Sequence, residues 1–120
     1  MVSQSFDDVI DGTDTDPVTI RAGETTVVAR QVQWADPALA SRTWKARCQV
    51  RTAPGGTLLE SPAATIADGV VQVAWSAADT AAFTWSSGVI GIEVYDDSVA
   101  PEIAYRLVQA PITVTPEVVQ

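Results

Sequence analysis

The sequence predicts an all-β sandwich of about seven strands with one short helical turn. Its 120 residues correspond to one domain with a single core. From Pro17 onward, short runs that alternate apolar and polar residues are separated by turn sequences. Only one segment carries the residues of a capped helix start. Together these three observations predict a mostly β fold.

The clearest predicted strand covers residues 43–52. Four apolar residues alternate there with four polar ones, namely Trp44, Ala46, Cys48 and Val50 with Lys45, Arg47, Gln49 and Arg51. Since successive side chains of a strand point to opposite faces, this strand should bury an apolar face and expose a basic one. Pro54-Gly55-Gly56 then predicts a tight turn, because proline lacks a ladder N–H and glycine accepts positive φ.

Three other segments have the same character. Residues 25–34 are rich in β-branched side chains, which favour strands. Residues 71–75 alternate after an Asp68-Gly69 turn. Residues 90–94 alternate before Asp96-Asp97-Ser98, which predicts a strand that ends in a turn.

The last predicted strand contains an irregularity. Tyr105 and Leu107 share one face, and Ile112 and Val114 share another. Pro111 lies between them and is expected to break the ladder, so that the strand has a bulge or changes sheet. The buried parity is therefore expected to reset at Pro111.

Ser76-Ala77-Ala78-Asp79 has the spacing of a helix capping box, so one or two helical turns are expected up to Phe83. About seven strands in roughly 100 residues suit an immunoglobulin-like antiparallel sandwich. Cys48 is the only cysteine, so the disulfide of antibody domains cannot form. A lone cysteine indicates synthesis in a reducing cytoplasm.

The sequence divides into an acidic arm (residues 1–16), the sandwich (residues 17–118) and a tail (residues 119–120). The arm contains no lysine or arginine, and its acids are Asp7, Asp8, Asp11, Asp14 and Asp16. The formal net charge of −8 opposes binding to nucleic acid. Neither a signal peptide nor a bilayer-spanning run is predicted, so no membrane partner is expected.

The composition argues against an enzyme. With no histidine, the chain cannot form a Ser-His-Asp or Cys-His centre, and it lacks the usual general base near neutral pH. Two carboxylate pairs, Asp96 with Asp97 and Glu93 with Asp96, could in principle act as in a glycosidase. Adjacent acids at a hairpin tip are usually a solvated turn, and that interpretation is preferred here. No catalytic residue and no cofactor are expected.

Two other features have ordinary explanations. Asp11-Gly12-Thr13-Asp14-Thr15-Asp16 gathers oxygen atoms as a calcium loop does, yet it lacks the ligand order and the final glutamate of an EF-hand. It is interpreted as part of an arm that is either flexible or held by a partner. Cys48 alternates with apolar neighbours, which predicts a buried and unreactive thiol.

The candidate sites are interaction surfaces. Arg42, Lys45, Arg47 and Arg51 lie on or beside one strand, either as an ordinary solvated face or as a docking surface for an acidic partner. The acidic arm of a neighbouring copy is one candidate for that partner. Trp34, Trp44 and Trp75 fit the buried parity. Trp85 lies in a loop-like context and is the candidate aromatic anchor of an interface.

Five segments in order carry a resemblance to a known family. They are Ile20-Arg21-Ala22-Gly23-Glu24-Thr25, Trp44-Lys45-Ala46-Arg47-Cys48-Gln49-Val50-Arg51, Leu58-Leu59, Ser76-Ala77-Ala78-Asp79-Thr80-Ala81-Ala82-Phe83 and Ile112-Thr113-Val114-Thr115-Pro116-Glu117-Val118. With them, residues 17–118 resemble small immunoglobulin-like proteins encoded by tailed bacteriophages and prophages. These are distantly similar to the N-terminal domains of phage baseplate upper proteins. The chain departs from that pattern at Ala110-Pro111, where a glycine is common, and in its acidic arm.

The resemblance implies a virion structural protein that is made in the cytoplasm of the bacterial host and assembles in many copies. A tail, collar or baseplate position is favoured slightly over a capsid decoration (cement) protein. Its partners would be other virion proteins and copies of itself. The alternative is a stand-alone module that binds carbohydrate of the host surface through Trp85 or Tyr95.

Overall fold

The computed structural model describes residues 14–32, 34 and 37–116, and these residues form an all-β sandwich with two short helices. The predicted all-β sandwich is confirmed, with eight strands rather than about seven and two short helices rather than one among these residues. The strands are β1 (Val18–Arg21), β2 (Thr26–Gln31), β3 (Lys45–Arg51), β4 (Leu58–Glu60), β5 (Ala64–Ala67), β6 (Val70–Trp75), β7 (Ser87–Asp96) and β8 (Ile103–Thr115). The helices are α1 (Pro37–Ala40) and α2 (Ala77–Ala81). Neither helix has the length or the apolar character needed to cross a bilayer.

The strands form two sheets. The five-stranded sheet has the order β1-β8-β7-β3-β4, and the three-stranded sheet has the order β2-β6-β5. Neighbouring strands are antiparallel except β1 and β8, which run parallel with Val18 opposite Ile112 and Arg21 opposite Thr115. The first and last strands of the sandwich are therefore direct neighbours.

The core lies between the two sheets and is almost entirely aliphatic. Because each strand alternates inward and outward side chains, every long strand contributes residues of one parity. The largest apolar side chains that are fully enclosed are Ile20, Val50, Val71, Val73, Ile90, Ile92, Val94, Val108 and Ile112. Cys48 is buried among them, as predicted.

β3 and β7 confirm the alternation predicted for them. Cys48 and Val50 are buried on β3, while Lys45, Arg47 and Gln49 are exposed. Trp44, just before β3, is only half-buried. β3 ends at Arg51, just before the predicted turn, in which Gly55 adopts a φ of 74°.

The irregularity of β8 is not at Pro111, so that prediction was wrong. Pro111 is exposed and remains paired with Val89 of β7. The register shifts instead between Ile92 and Glu93 of β7, which face Val108 and Arg106, so Leu107 is an extra residue. Leu107 and Val108 are both buried, which shows that the parity resets at this β-bulge.

Two local predictions are confirmed by the geometry. Asp68 and Gly69 both have positive φ, 52° and 76°, as a two-residue hairpin turn between β5 and β6 requires. Ser76 caps α2 by accepting a hydrogen bond from the Asp79 N–H at 3.1 Å. The Asp79 carboxylate in turn accepts one from the Ser76 N–H at 3.0 Å, which completes the capping box.

Candidate interaction surfaces

The carboxylate pair Asp96 and Asp97 ends β7, and the two side chains have different surroundings. Asp97 is exposed and forms an ion pair with Lys45 at 3.0 Å. Asp96 is only 2% exposed. It accepts hydrogen bonds from the Ser98 N–H and hydroxyl, and it pairs with the Arg42 guanidinium at 2.9 Å. The interpretation of this pair as a solvated turn was therefore wrong for Asp96.

The contacts of Asp96 suit a structural anion. The bonds from Ser98, together with Arg42, hold the pKa of Asp96 below its usual value. A glycosidase acid needs the opposite shift, because it must keep its proton near neutral pH. Glu93, the other candidate, binds Arg47 at 2.7 Å. Each of these carboxylates thus neutralises a cation of its own chain.

The four predicted basic residues do lie at one region of the five-stranded sheet, around β3, and three of them already have acidic partners. Arg42 pairs with Asp96 and Lys45 with Asp97. Arg47 binds both Glu93 and Glu102, and these hydrogen bonds raise its pKa. Arg51 donates to the Gln49 side chain and to the Gly56 carbonyl, which are neutral groups. A docking role for these residues remains a prediction, but the positive charge is largely matched within the chain.

A shallow depression lies on the outer face of this sheet. Its floor contains Gly91, which has no side chain, and its walls include Gln49, Arg51 and Gln109 with the turn at Pro54-Gly55. Its lining is mixed, with guanidinium and amide groups beside the apolar surface of Ala53, Pro54 and Val89. In the portion of the chain that the structure describes, no group of three or more Cys, Asp or Glu side chains could hold a metal ion.

The acidic arm is described only from Asp14 onward, and Asp14 belongs to the sandwich. Its N–H donates to the Leu107 carbonyl and its carbonyl accepts from the Gln109 N–H, both at 3.0 Å. Its carboxylate forms an ion pair with Arg30 of β2. The Asp16 N–H and Arg30 lower the pKa of Asp14. The arm was predicted to extend to residue 16, yet Asp14 within it already pairs with β8.

The other arm acids have different positions. Asp16 is exposed. Asp7, Asp8 and Asp11 lie outside the described residues, as do Gly12 and Thr13. Residues 117–120, the end of the predicted domain and its tail, also lie outside them. The role of the arm in docking stays a prediction.

The tryptophans form two clusters rather than one exposed platform. Trp34 stacks on Trp44 with ring centroids 4.7 Å apart, and the Trp44 indole donates to the Leu39 carbonyl at 2.7 Å. At a second site, Phe83 lies edge-on to Trp75 and stacks on Trp85 at 5.0 Å. Trp75 is buried as predicted, while Trp34 and Trp44 are half-buried.

Both aromatic candidates for ligand contact are partly covered. Trp85 is half-buried and donates to Glu60 at 3.3 Å, so much of its ring already has protein contacts. The guanidinium of Arg47 lies 4.4 Å from the centre of the Tyr95 ring. One face of Tyr95 is thus occupied by a cation–π contact. An interface role for Trp85 remains a prediction.

One surface was missed from the sequence, namely the outer face of the three-stranded sheet. Its exposed side chains carry no formal charge, and they are Val27, Ala29, Gln31, Thr65, Ala67, Val70, Gln72 and Ala74. Alternation in β6 could have indicated it, because its outward residues are Val70, Gln72 and Ala74. The surface is called the neutral face below.

The chain matches no protein-family model and none of the curated proteins with which it was compared.

Proposed function

We propose that this chain is a non-enzymatic structural protein of a bacteriophage particle, built on an immunoglobulin-like sandwich and assembled in multiple copies. The tail, collar or baseplate is the favoured position. The observation that carries the proposal is the strand order β1-β8-β7-β3-β4 with β2-β6-β5. An immunoglobulin-like domain has this arrangement when its first strand joins the sheet of its last one. The strand order is thus compatible with the immunoglobulin-like fold that the family resemblance implies, and it supports the proposal.

The contacts between the segments that carry the resemblance give further support. The segment from Ile20 to Thr25 forms the end of β1 and the turn to β2, and the segment from Ser76 to Phe83 contains α2. Thr80 of α2 hydrogen-bonds to Gly23 and Glu24 of that turn. Segments that are distant in sequence therefore form one structural unit.

The charge arrangement fits the non-enzymatic part of the proposal. Carboxylates and cations of the described residues pair along strands β3 and β7 and the following loop, rather than converging on one cavity. The carbohydrate-binding alternative depends on open aromatic faces. Since Trp85 and Tyr95 are both partly covered, no structural observation favours that alternative.

The proposal predicts that the protein co-purifies with phage particles. Particles from an induced lysate would be separated on a density gradient, and quantitative mass spectrometry would give the copy number of the chain per particle. Crosslinking of the same fraction would identify its neighbours. Many copies in the particle fraction are expected. If the protein is found only in the soluble fraction of a lysate rich in intact particles, the proposal is wrong.

A further inference from the structure

The depression on the outer face of the five-stranded sheet gathers positive charge. Three guanidinium groups line it, those of Arg47, Arg51 and Arg106, together with one carboxylate, Glu93. Glu102 also pairs with Arg47 but is not part of the lining, so three cations still face two carboxylates. The whole chain has only seven basic residues and a formal charge of −8. Within this acidic protein, the depression is a place that attracts an anionic group.

The floor of the depression has room for a peptide. Gly91 lies opposite Gln49 on one side and Gln109 on the other. A Cβ at Gly91 would lie 3.9 Å from the Val108 carbonyl oxygen, which is an ordinary van der Waals distance. Glycine within a strand often marks a place where another backbone approaches closely, and the two flanking amides can both donate to and accept from a backbone. The depression therefore suits an acidic peptide segment.

We propose that the depression binds the acidic arm of its own chain, through carboxylates of Asp7, Asp8 and Asp11. The point at which the arm meets the sandwich supports this assignment. The Asp14 carbonyl accepts a hydrogen bond from the Gln109 N–H at 3.0 Å, and Gln109 lines the depression. Residues 1–13 thus join the sandwich at the rim of the depression. The proposal does not depend on the proposed function.

The arm is long enough to cross the depression. Asp14 is paired with Val108, and the same row of the sheet continues through β7 to Cys48 of β3. Arg51 lies three strands from Asp14 and three residues along β3 from Cys48, which is roughly 18 Å at about 4.8 Å per strand and about 3.3 Å per residue. The six residues from Asp14 back to Asp8 span up to about 20 Å. The Asp8 carboxylate can therefore reach Arg51.

A nearer contact is also within reach. Arg106 is exposed and lies two residues from Val108 along β8, on the strand beside Asp14. Asp11, three residues before Asp14, has a reach of about 10 Å, which covers that distance. Because such a short tether keeps the arm at a high effective concentration, the arm of the same chain should occupy the depression ahead of the arm of a second copy.

Carbodiimide coupling of the full-length protein tests the proposal, because it joins a carboxylate to an amine only where the two are in contact. Arg51→Lys puts an amine in the depression and keeps the charge. Native Lys45 is the matched control, since it lies three residues from Cys48 in the opposite direction, at the same distance from Asp14. Asp97→Asn is included to release Lys45 from its ion pair.

The arm carboxylates should couple to the introduced amine about fivefold more than to Lys45, a factor within the range that a few exposed ion pairs supply. Mass spectrometry of an equal mixture of unlabelled and ¹⁵N-labelled protein would map the links and show whether they join one chain or two. Equal coupling to the two amines would overturn the proposal. Links that mostly join two chains would overturn it as well.

Filling the depression provides a second test. Gly91→Val, added to the coupling variant, places a side chain on the floor, and valine favours a strand, so the fold should be retained and circular dichroism would check it. The preference for the introduced amine should fall to the level of Lys45. Thr113→Val, on the outward side of β8 and away from the depression, should leave it unchanged. A preference that survives Gly91→Val would overturn the proposal.

Discussion

The hydroxyl of Thr80 in helix α2 accepts a hydrogen bond from the Gly23 N–H at 3.0 Å. The same hydroxyl has one proton to donate, and that proton has the Glu24 and Ala77 carbonyls within reach, at 2.9 and 3.1 Å. Thr80 is fully buried. One hydroxyl thus satisfies backbone groups of the β1–β2 turn and fixes the helix against that turn.

Thr80→Val keeps the shape of the side chain and removes these bonds. The backbone groups that Thr80 binds would then be buried without a hydrogen-bond partner. The free energy of unfolding should therefore fall by about 1–3 kcal/mol. Urea denaturation would measure it. Thr19→Val, at an exposed position of β1, is the control and should change stability by less than about 0.5 kcal/mol. Equal effects of the two variants would mean that the Thr80 hydrogen bonds contribute nothing.

Asp96 and Asp97 allow a comparison of adjacent carboxylates. Asp96→Asn removes the buried charge beside Arg42 and should lower the melting temperature clearly at pH 7. Asp97→Asn removes an exposed ion pair with Lys45 and should have almost no effect. Thermal melting of both variants at neutral pH would check this order, and the reverse order would contradict the burial of Asp96.

The effect of Asp96 should also depend on pH. Its pKa is lowered by Ser98 and Arg42, so its stabilising contribution is fully present above the unfolded pKa of about 3.9. The contribution is lost as the pH falls through the lower pKa of the folded state. The difference between wild type and Asp96→Asn should thus be constant from about pH 5 to 7 and shrink in more acidic solution. A difference that persists well below that range would argue against a charge effect.

Asp14 and Arg30 connect the two sheets at one edge of the sandwich. Both side chains are partly exposed, so Asp14→Asn should reduce the free energy of unfolding by only about 0.5 kcal/mol. A larger local effect is expected in hydrogen exchange, because the Gln109 N–H binds the Asp14 carbonyl and should exchange faster. Asp16→Asn is the control. If both variants change Gln109 exchange equally, the ion pair does not hold residue 14 in place.

The Cys48 thiol is a probe for opening of the sandwich core. Burial raises its pKa to about 12, so its thiol is neutral at pH 8 and shielded from reagents. A thiol reagent at pH 8 should label native protein slowly, and urea should raise the rate in parallel with unfolding seen by circular dichroism. Gln49→Cys, next to it on the exposed face, should label at the rate of an ordinary thiol. Rapid labelling of Cys48 without urea would contradict its burial.

Sequence reasoning worked where the signal was local. The alternation of β3 and the capping box at Ser76 each depend on neighbouring residues, and both are confirmed. It failed at the bulge of β8. Leu107 and Val108 are adjacent and apolar, so the sequence alone allows either of them to point into the core. The bulge formed by pairing with β7 is what buries both.

The candidate surfaces were harder to predict because they depend on distant pairing. Arg47 and Glu102 are 55 positions apart, and a bidentate contact between them cannot be read from either segment. The sequence therefore left open whether the basic strand is an ordinary solvated face or a docking surface. The neutral face was missed for a similar reason, since its residues come from three strands whose order only the fold defines.

The parallel pairing of β1 and β8 also determines how the domain would respond to tension. A force that pulls residue 14 and residue 116 apart would draw β1 toward its N-terminus and β8 toward its C-terminus. Because the two strands are parallel over Val18–Arg21, their hydrogen bonds would be loaded together in shear rather than opened one by one. Single-molecule pulling through these ends should show one abrupt rupture at high force. Ile20→Pro removes a hydrogen-bond donor from the pair of strands and should lower the rupture force.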